Sequence, residues 1–319
     1  MNIRPANDFT FEQIAQCSNE AFADYFGHPI VWTPEELAVY VPGHCISRER
    51  SLVACPEGSD TPVGFALMAY RDDLPGHARL AAMGVVPAWA GKGVGSRLLA
   101  AVLDAARADG TNTIWLEVIT DNAPAIKLYS RYGFQPVRAL AGWTRDEEPA
   151  AAAAAAVVVE KPDELSLHGQ PALEEQTPEE VLRLLRQHGA AAAAAAADLP
   201  WQLWHQFALA TRPQACRGFR LGSAHCAISD PERDQRSSKD DNNNDNNNPV
   251  SLLGVVVVPE EARGRGDATA LLRAVMARYP GKKWKAPATI PLEYGETIAR
   301  RLGFTMETIR MDLMKLSLE

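Results

Sequence analysis

Cysteine is scarce in this sequence, with five residues in 319: Cys17, Cys45, Cys55, Cys216 and Cys226. An odd number with no C-x-x-C spacing argues against a disulfide framework or a zinc site, and it fits a reducing compartment. A basic excess is missing as well. The net charge of −8 argues against a nucleic-acid binder working through a basic face, and mildly suits a cationic acceptor such as an amine. Long apolar runs are absent too. The longest are alanine tracts or short valine-rich stretches, so no membrane span is expected. The opening MNIRPANDFTFEQIA carries neither an apolar signal core nor an Arg/Ser-rich, acid-poor transit pattern, and the expectation is a cytoplasmic protein.

What is present is length enough for two domains, each able to bury a core, with soluble, globular composition. Three stretches are compositionally odd: alanine runs at 150–156 and 190–197, and SSKDDNNNDNNN at 237–248. The asparagine tract has nothing apolar to bury and is expected to be disordered, within an insertion near 230–249. The first alanine run, with the Pro- and Glu-bearing stretch after it, reads as a linker. The expected division is therefore a domain over 1–146, a linker over 147–175 and a domain over 176–319.

Helix and strand patterns alternate before the linker. FEQIAQCSNEAF and TPEELAVYV read as helices, the second with Thr33 as N-cap, Pro34 next and Glu36 completing a capping box. Strands are predicted over 63–70, 78–86, 114–119 and 137–143. A helix follows the glycine turn, with Val94, Leu98, Leu99, Val102 and Leu103 on one face and Asp109-Gly110 as its stop; another covers 123–132. The class is mixed α/β.

The turn itself, AGKGVGS, is neither a P-loop nor a G-x-G-x-x-G fingerprint. A glycine-rich turn opening a helix can present the N–H groups of Gly91, Lys92, Gly93, Val94, Gly95 and Ser96 to a pyrophosphate, with the Lys92 side chain near the charge. It can equally be a plain strand-to-helix turn. Downstream, in WLEVITDNAPAIKLYSRYGF, strand alternation sends Trp115, Glu117 and Ile119 to one face. Asn122 is placed to cap the next helix, and Tyr129 lies two turns further on the same helical face. A carboxylate, an amide and a phenol can thus converge on one point.

These two stretches carry a resemblance to the GNAT-type N-acetyltransferase superfamily. The family's loop pattern [QR]-x-x-G-x-[GA] is met by Gly93 and Gly95, with Ala90 in place of the leading Gln or Arg. N-x-x-A-x-x-L-Y-x-x-x-G-F is matched at every fixed position by Asn122, Ala125, Leu128, Tyr129, Gly133 and Phe134. The resemblance implies direct transfer from acetyl-CoA to an amine, small molecule or protein N-terminus or lysine, with no acyl-enzyme. It implies that Val85 and Val86 hold the pantetheine arm by backbone bonds with Asn122 nearby. It implies Tyr129 as acid for the leaving thiolate and Glu117 as base. It also implies a mixed, mostly antiparallel sheet flanked by helices, splayed near the glycine turn.

The chemistry asks for those residue types. Presenting an alkyl ammonium of pKa about 10 as a neutral amine at pH 7 costs roughly 4 kcal/mol, part of which a positioned base offsets. Glu117 can alternatively pair with a cation or orient the acceptor. The aromatic cluster Phe22, Tyr25, Phe26 and Trp32 reads either as core packing or as an acceptor pocket, and the same two readings apply to Trp201, Trp204 and Phe207. Cys45 or Cys55 as a nucleophile lacks a His partner placed by sequence.

The pattern recurs at 251–281, and ARRLGF answers YSRYGF. The second turn, Arg263 to Ala268, fits the loop pattern better than the first. Yet Ala299 stands for Tyr129, Leu292 for Asn122 and Ala286 for Glu117. The expectation is a tandem protein with an active first copy and a degenerate second. The rival is a non-catalytic CoA-binding or scaffold protein of the same fold; a third reading is transfer of a longer acyl chain.

Overall fold

The computed structural model describes residues 1–27, 29–72, 74–146, 172–194, 213–232 and 249–318. The 150–156 alanine run, most of the expected linker, the asparagine tract, and Trp201, Trp204 and Phe207 lie outside them. The chain divides into two compact units, Met1–Val137 with Asp312–Glu319, and Arg138–Met311.

In the first unit β1 (Asn2–Pro5), β2 (Ile46–Cys55), β3 (Gly64–Tyr70) and β4 (His77–Val85) pair antiparallel in that order. β5 (Thr113–Ile119) joins β4 in parallel, and the end of β12 (Thr305–Ser317) follows it. On one face lie α3 (Val94–Ala108) and α4 (Ala123–Arg131). The five α3 residues predicted to share a face are all buried, against Leu116, Val118 and Phe134. Asp109 and Gly110, the latter at φ +77°, end that helix as predicted. The opposite face carries α1 (Phe11–Ala21), which packs on β3 and β4, and α2 (Pro34–Gly43). Thr10 and Thr33 both complete capping boxes.

The second unit repeats the order. β7 (Glu174–Gln176), β8 (Cys216–Leu221), β9 (Ala224–Ser229) and β10 (Val250–Val257) pair antiparallel, and β11 (Trp284–Pro291) joins β10 in parallel. β11 is then flanked antiparallel by β6 (Gln135–Arg145). The helices are α5 (Pro178–Ala194), α6 (Asp267–Arg278) and α7 (Leu292–Arg301). Both units carry a register shift at the same place, at Ala81 in β4 and at Leu253 in β10.

The units differ from the division expected at 146 and 176. Residues 138–145 of β6 belong to the second unit, and 312–319 return to the first. The reason is burial. Met314, Leu316 and Leu318 complete the core around Tyr129 and Phe134, and the Leu318 N–H donates to the Asn112 carbonyl at 2.8 Å. Among the described residues no helix is long and apolar enough to cross a membrane.

Candidate active site

β4 and β5 are paired only at His77↔Thr113, Ala78↔Ile114 and Arg79↔Trp115. Beyond Arg79 the strands part, and residues 81–85 of a strand interior to the sheet stay half-exposed. The Val86 N–H donates to the Val63 carbonyl at 3.0 Å, and the Val86 carbonyl accepts from Trp89. Strand alternation then turns the main-chain groups of Met83 and Val85 toward the side that β5 has left. Val86 thus spends its backbone inside the protein, while Val85 and Met83 face the opening.

The glycine turn stands at the mouth of this opening. Gly91 and Gly93 have φ of +72° and +79°, where glycine alone is unstrained, and a Cβ on either would meet nothing within 4 Å. α3 begins with no side-chain cap and no acid in its first turn. Helix geometry leaves the Val94, Gly95 and Ser96 amides without intrahelical acceptors, pointing outward with the dipole's positive end. Val94 presents its amide alone, since its side chain is core. Gly95 has a second duty: a Cβ there would lie 3.2 Å from Met83 Cε. The Lys92 ammonium sits 5.0 Å from the Trp89 ring centroid. Arg131 donates to the Ser96 hydroxyl at 3.0 Å, and that hydroxyl lies 2.7 Å from the Tyr132 hydroxyl. Arg131 was not among the predicted residues, because no local signal tells that the end of α4 meets the start of α3.

Asn122 caps α4, its side chain accepting from the Ala125 N–H at 3.2 Å. Tyr129, buried, meets Phe134 edge-on at 5.8 Å. Burial pushes its phenol well above the ordinary range, and the Tyr25 hydroxyl nearby adds to the shift. Tyr25 is itself raised by burial, opposed by a hydrogen bond with the Asn122 side chain. Asn122, Tyr129 and Tyr25 are thus brought together. Sequence placed the first two on one helix face and put Tyr25 only in an aromatic cluster. Phe22 and Phe26 each pack edge-on against Tyr25 at 5.0 Å, while Trp32 lies against Tyr40, centroids 4.6 Å apart.

Glu117 sits on the other face of β5 as alternation predicts, and it is bonded to Arg79. Arg79 Nη2 and Nε donate to Glu117 Oε2 at 2.7 and 2.8 Å, with both side chains buried. Burial alone would lower the Arg79 pKa; the Glu117 charge and hydrogen bond outweigh it and hold it above its ordinary value. Tyr40 of α2 lies beside the pair, its phenol raised by burial, with Arg79 opposing and Glu117 adding. The pair bridges β4 and β5 where they separate. Cys55 is fully buried with its thiol pushed up by burial, a poor setting for a nucleophile.

Residues 12–134, a stretch confined to the first unit, match the acetyltransferase (GNAT) family. The first unit is a GNAT domain. Two acetyltransferases are similar to part of the chain. N-alpha-acetyltransferase RimI of Mycobacterium tuberculosis is 49% identical over 55 residues, 17% of this chain and 33% of that one. Streptothricin acetyltransferase of Streptomyces lavendulae is 39% identical over 87 residues, 27% and 44% of the two chains. The match thus spans less than half the length of either relative. A tandem GNAT protein from the clavulanic acid biosynthesis pathway aligns with 99% of this chain and 98% of its own, at TM-score 0.61 and 18% identity. That likeness is one of fold, and it extends the GNAT architecture to both units.

Proposed function

We propose that the first unit transfers an acetyl group from acetyl-CoA directly to an amine. The observation that carries this reading is the opening between β4 and β5, bordered by the uncapped start of α3 and closed by a buried phenol. In this reading the amides of residues 91–96, with Lys92 and Arg131, hold the pyrophosphate. The main-chain groups of Met83 and Val85 hold the pantetheine arm beside Asn122. The amine nitrogen attacks the thioester carbonyl carbon, the carbon–sulfur bond breaks, and the thiolate takes the Tyr129 proton. The proton released by the nitrogen goes to Glu117, directly or through water. The acceptor is a protein N-terminus or lysine, or a small amine, and the aromatic loop around Tyr25 and Trp32 suits a cation. Five free cysteines support a reducing, cytoplasmic setting. The second unit, with alanine or leucine at all three site positions, is non-catalytic.

The experiment is free-thiol release from acetyl-CoA by the full chain with a panel of amines. Amine-dependent release that Tyr129→Phe lowers sustains the reading. A second reading, CoA binding without turnover, is favoured by the Arg79 clamp on Glu117; it requires that acetyl-CoA bind while no amine releases thiol.

A further inference from the structure

The second unit has its own opening, and it has become something else. β10 and β11 pair only at Val250↔Trp284 and Ser251↔Lys285 before parting. A cavity of about 540 Å³ occupies the gap, within the usual size range of small-molecule sites. Its walls are aliphatic and aromatic: Leu252 and Val255 from β10, Leu272 from α6, Ile290 from β11, Ile298 from α7, and Phe304. Ala286 and Ala299, at the sites corresponding to Glu117 and Tyr129, also line it. Neither position offers a carboxylate or a phenol, and the two small side chains leave space between the strands.

Two features that would favour a nucleotide, a free helix start and an unpaired Arg263, are offset at its mouth. Gly264 and Gly266 keep positive φ, +83° and +94°, so the turn has the right backbone. But the first residue of α6 is Asp267, whose carboxylate accepts from the Ser223 hydroxyl. A carboxylate fixed in the first turn offsets the helix's positive end and repels a second anion. Arg263, on the cavity wall, is already paired with Glu260. His188 is the other titratable side chain of basic character among the described residues that line it.

We propose that this cavity is a binding site for an uncharged aliphatic molecule, of the medium-chain alcohol or acyl-amide class, distinct in ligand from the acetyl-CoA site assigned to the first unit. The inference is independent of whether the first unit turns over. Hydrophobic burial in the gap supplies affinity, and the Asp267 carboxylate at the start of α6 disfavours a second anion there.

The test is calorimetric titration of the full chain with 1-decanol, sodium decanoate and acetyl-CoA, repeated on Ala299→Phe, which fills the cavity, and on Tyr129→Phe. Decanol is expected to bind one site per chain. Ala299→Phe should weaken it by at least about tenfold while Tyr129→Phe leaves it unchanged. If Ala299→Phe loses the wild-type circular dichroism spectrum, Ala268→Met, on the α6 wall, takes its place. The proposal is overturned if decanol shows no saturable binding, if the filling variant binds it as wild type does, if decanoate binds more tightly than decanol, or if acetyl-CoA displaces decanol.

Discussion

Tyr129 and Glu117 have opposite environments, and their substitutions should fail in different ways. Tyr129 keeps its proton because burial disfavours the phenolate, which is what a donor to a thiolate needs. Tyr129→Phe is expected to lower kcat by about 10²–10⁴-fold with little change in acetyl-CoA affinity and fold, as steady-state kinetics with calorimetry will read. Glu117→Gln removes the charge that neutralises buried Arg79. Leaving one member of a buried pair costs about 3–5 kcal/mol. Its urea midpoint should therefore fall sharply, whereas that of Tyr129→Phe should hold. If Glu117→Gln unfolds like wild type, the clamp is not structural. The residues legible in sequence were those whose partners are local: Asn122 reads as a cap from the helix that follows it. Arg79 was not legible, because its partner lies 38 residues away on a parallel neighbour. Tyr25 was legible only as an aromatic, since its approach to Asn122 depends on the fold of an irregular loop.

The helices α3 and α4 could be read from sequence almost to the residue, because a 3.6-residue apolar face and explicit caps mark them. β2 could not. Its first half, ISRER, is mostly charged and carries a single buried apolar residue, Ile46, while its end, LVAC, runs into the core. β12 was hidden by a similar mixture. The glycine turn shows what a pattern match conceals: its glycines serve different needs. Gly93→Ala places a Cβ in open space at a strained φ, so it should cost about 1–2 kcal/mol of stability and leave the amide in place. Acetyl-CoA affinity should then change little. Gly95→Glu drives a side chain against Met83 and puts an anion at the phosphate position, so affinity and stability should both fall. Titration of acetyl-CoA into the two variants, with their thermal unfolding, separates these roles; equal loss of affinity in both would contradict the distinction.

At the scale of the molecule, stability should decline in alkali in both units. Burial pushes the thiols of Cys17 and Cys226 up to about 12, against 9.0 when free. Above pH 9 the unfolded chain therefore binds fewer protons than the folded one, and each thiol lowers stability by up to about 1.4 kcal/mol per pH unit until its folded pKa is reached. Urea midpoints at pH 8 and pH 10 will measure this, and Cys17→Ala should flatten the dependence for the first unit. The division of the chain was the least legible feature of all. Repeats in the sequence mark where one copy gives way to the next, but strand pairing follows burial. Met314, Leu316 and Leu318 close a core whose preceding buried member, Phe134, lies 180 residues before Met314. Removing residues 312–319 forfeits roughly 1.5–3 kcal/mol for each of those three side chains, comparable with the whole stability of a domain. The truncated chain is expected to lose protease resistance within 1–137, and wild-type resistance would show that strand to be dispensable.

The same closure sets an order of assembly during synthesis. The 174 residues from Arg138 to Met311 form one unbroken compact unit, while the GNAT domain is split around them. At about 5–20 residues per second, a ribosome takes about 9–35 s to make that interval. Throughout it the flank of β5 stands without its neighbour, an unpaired edge beside an open core. The part of the protein begun first is the part completed last.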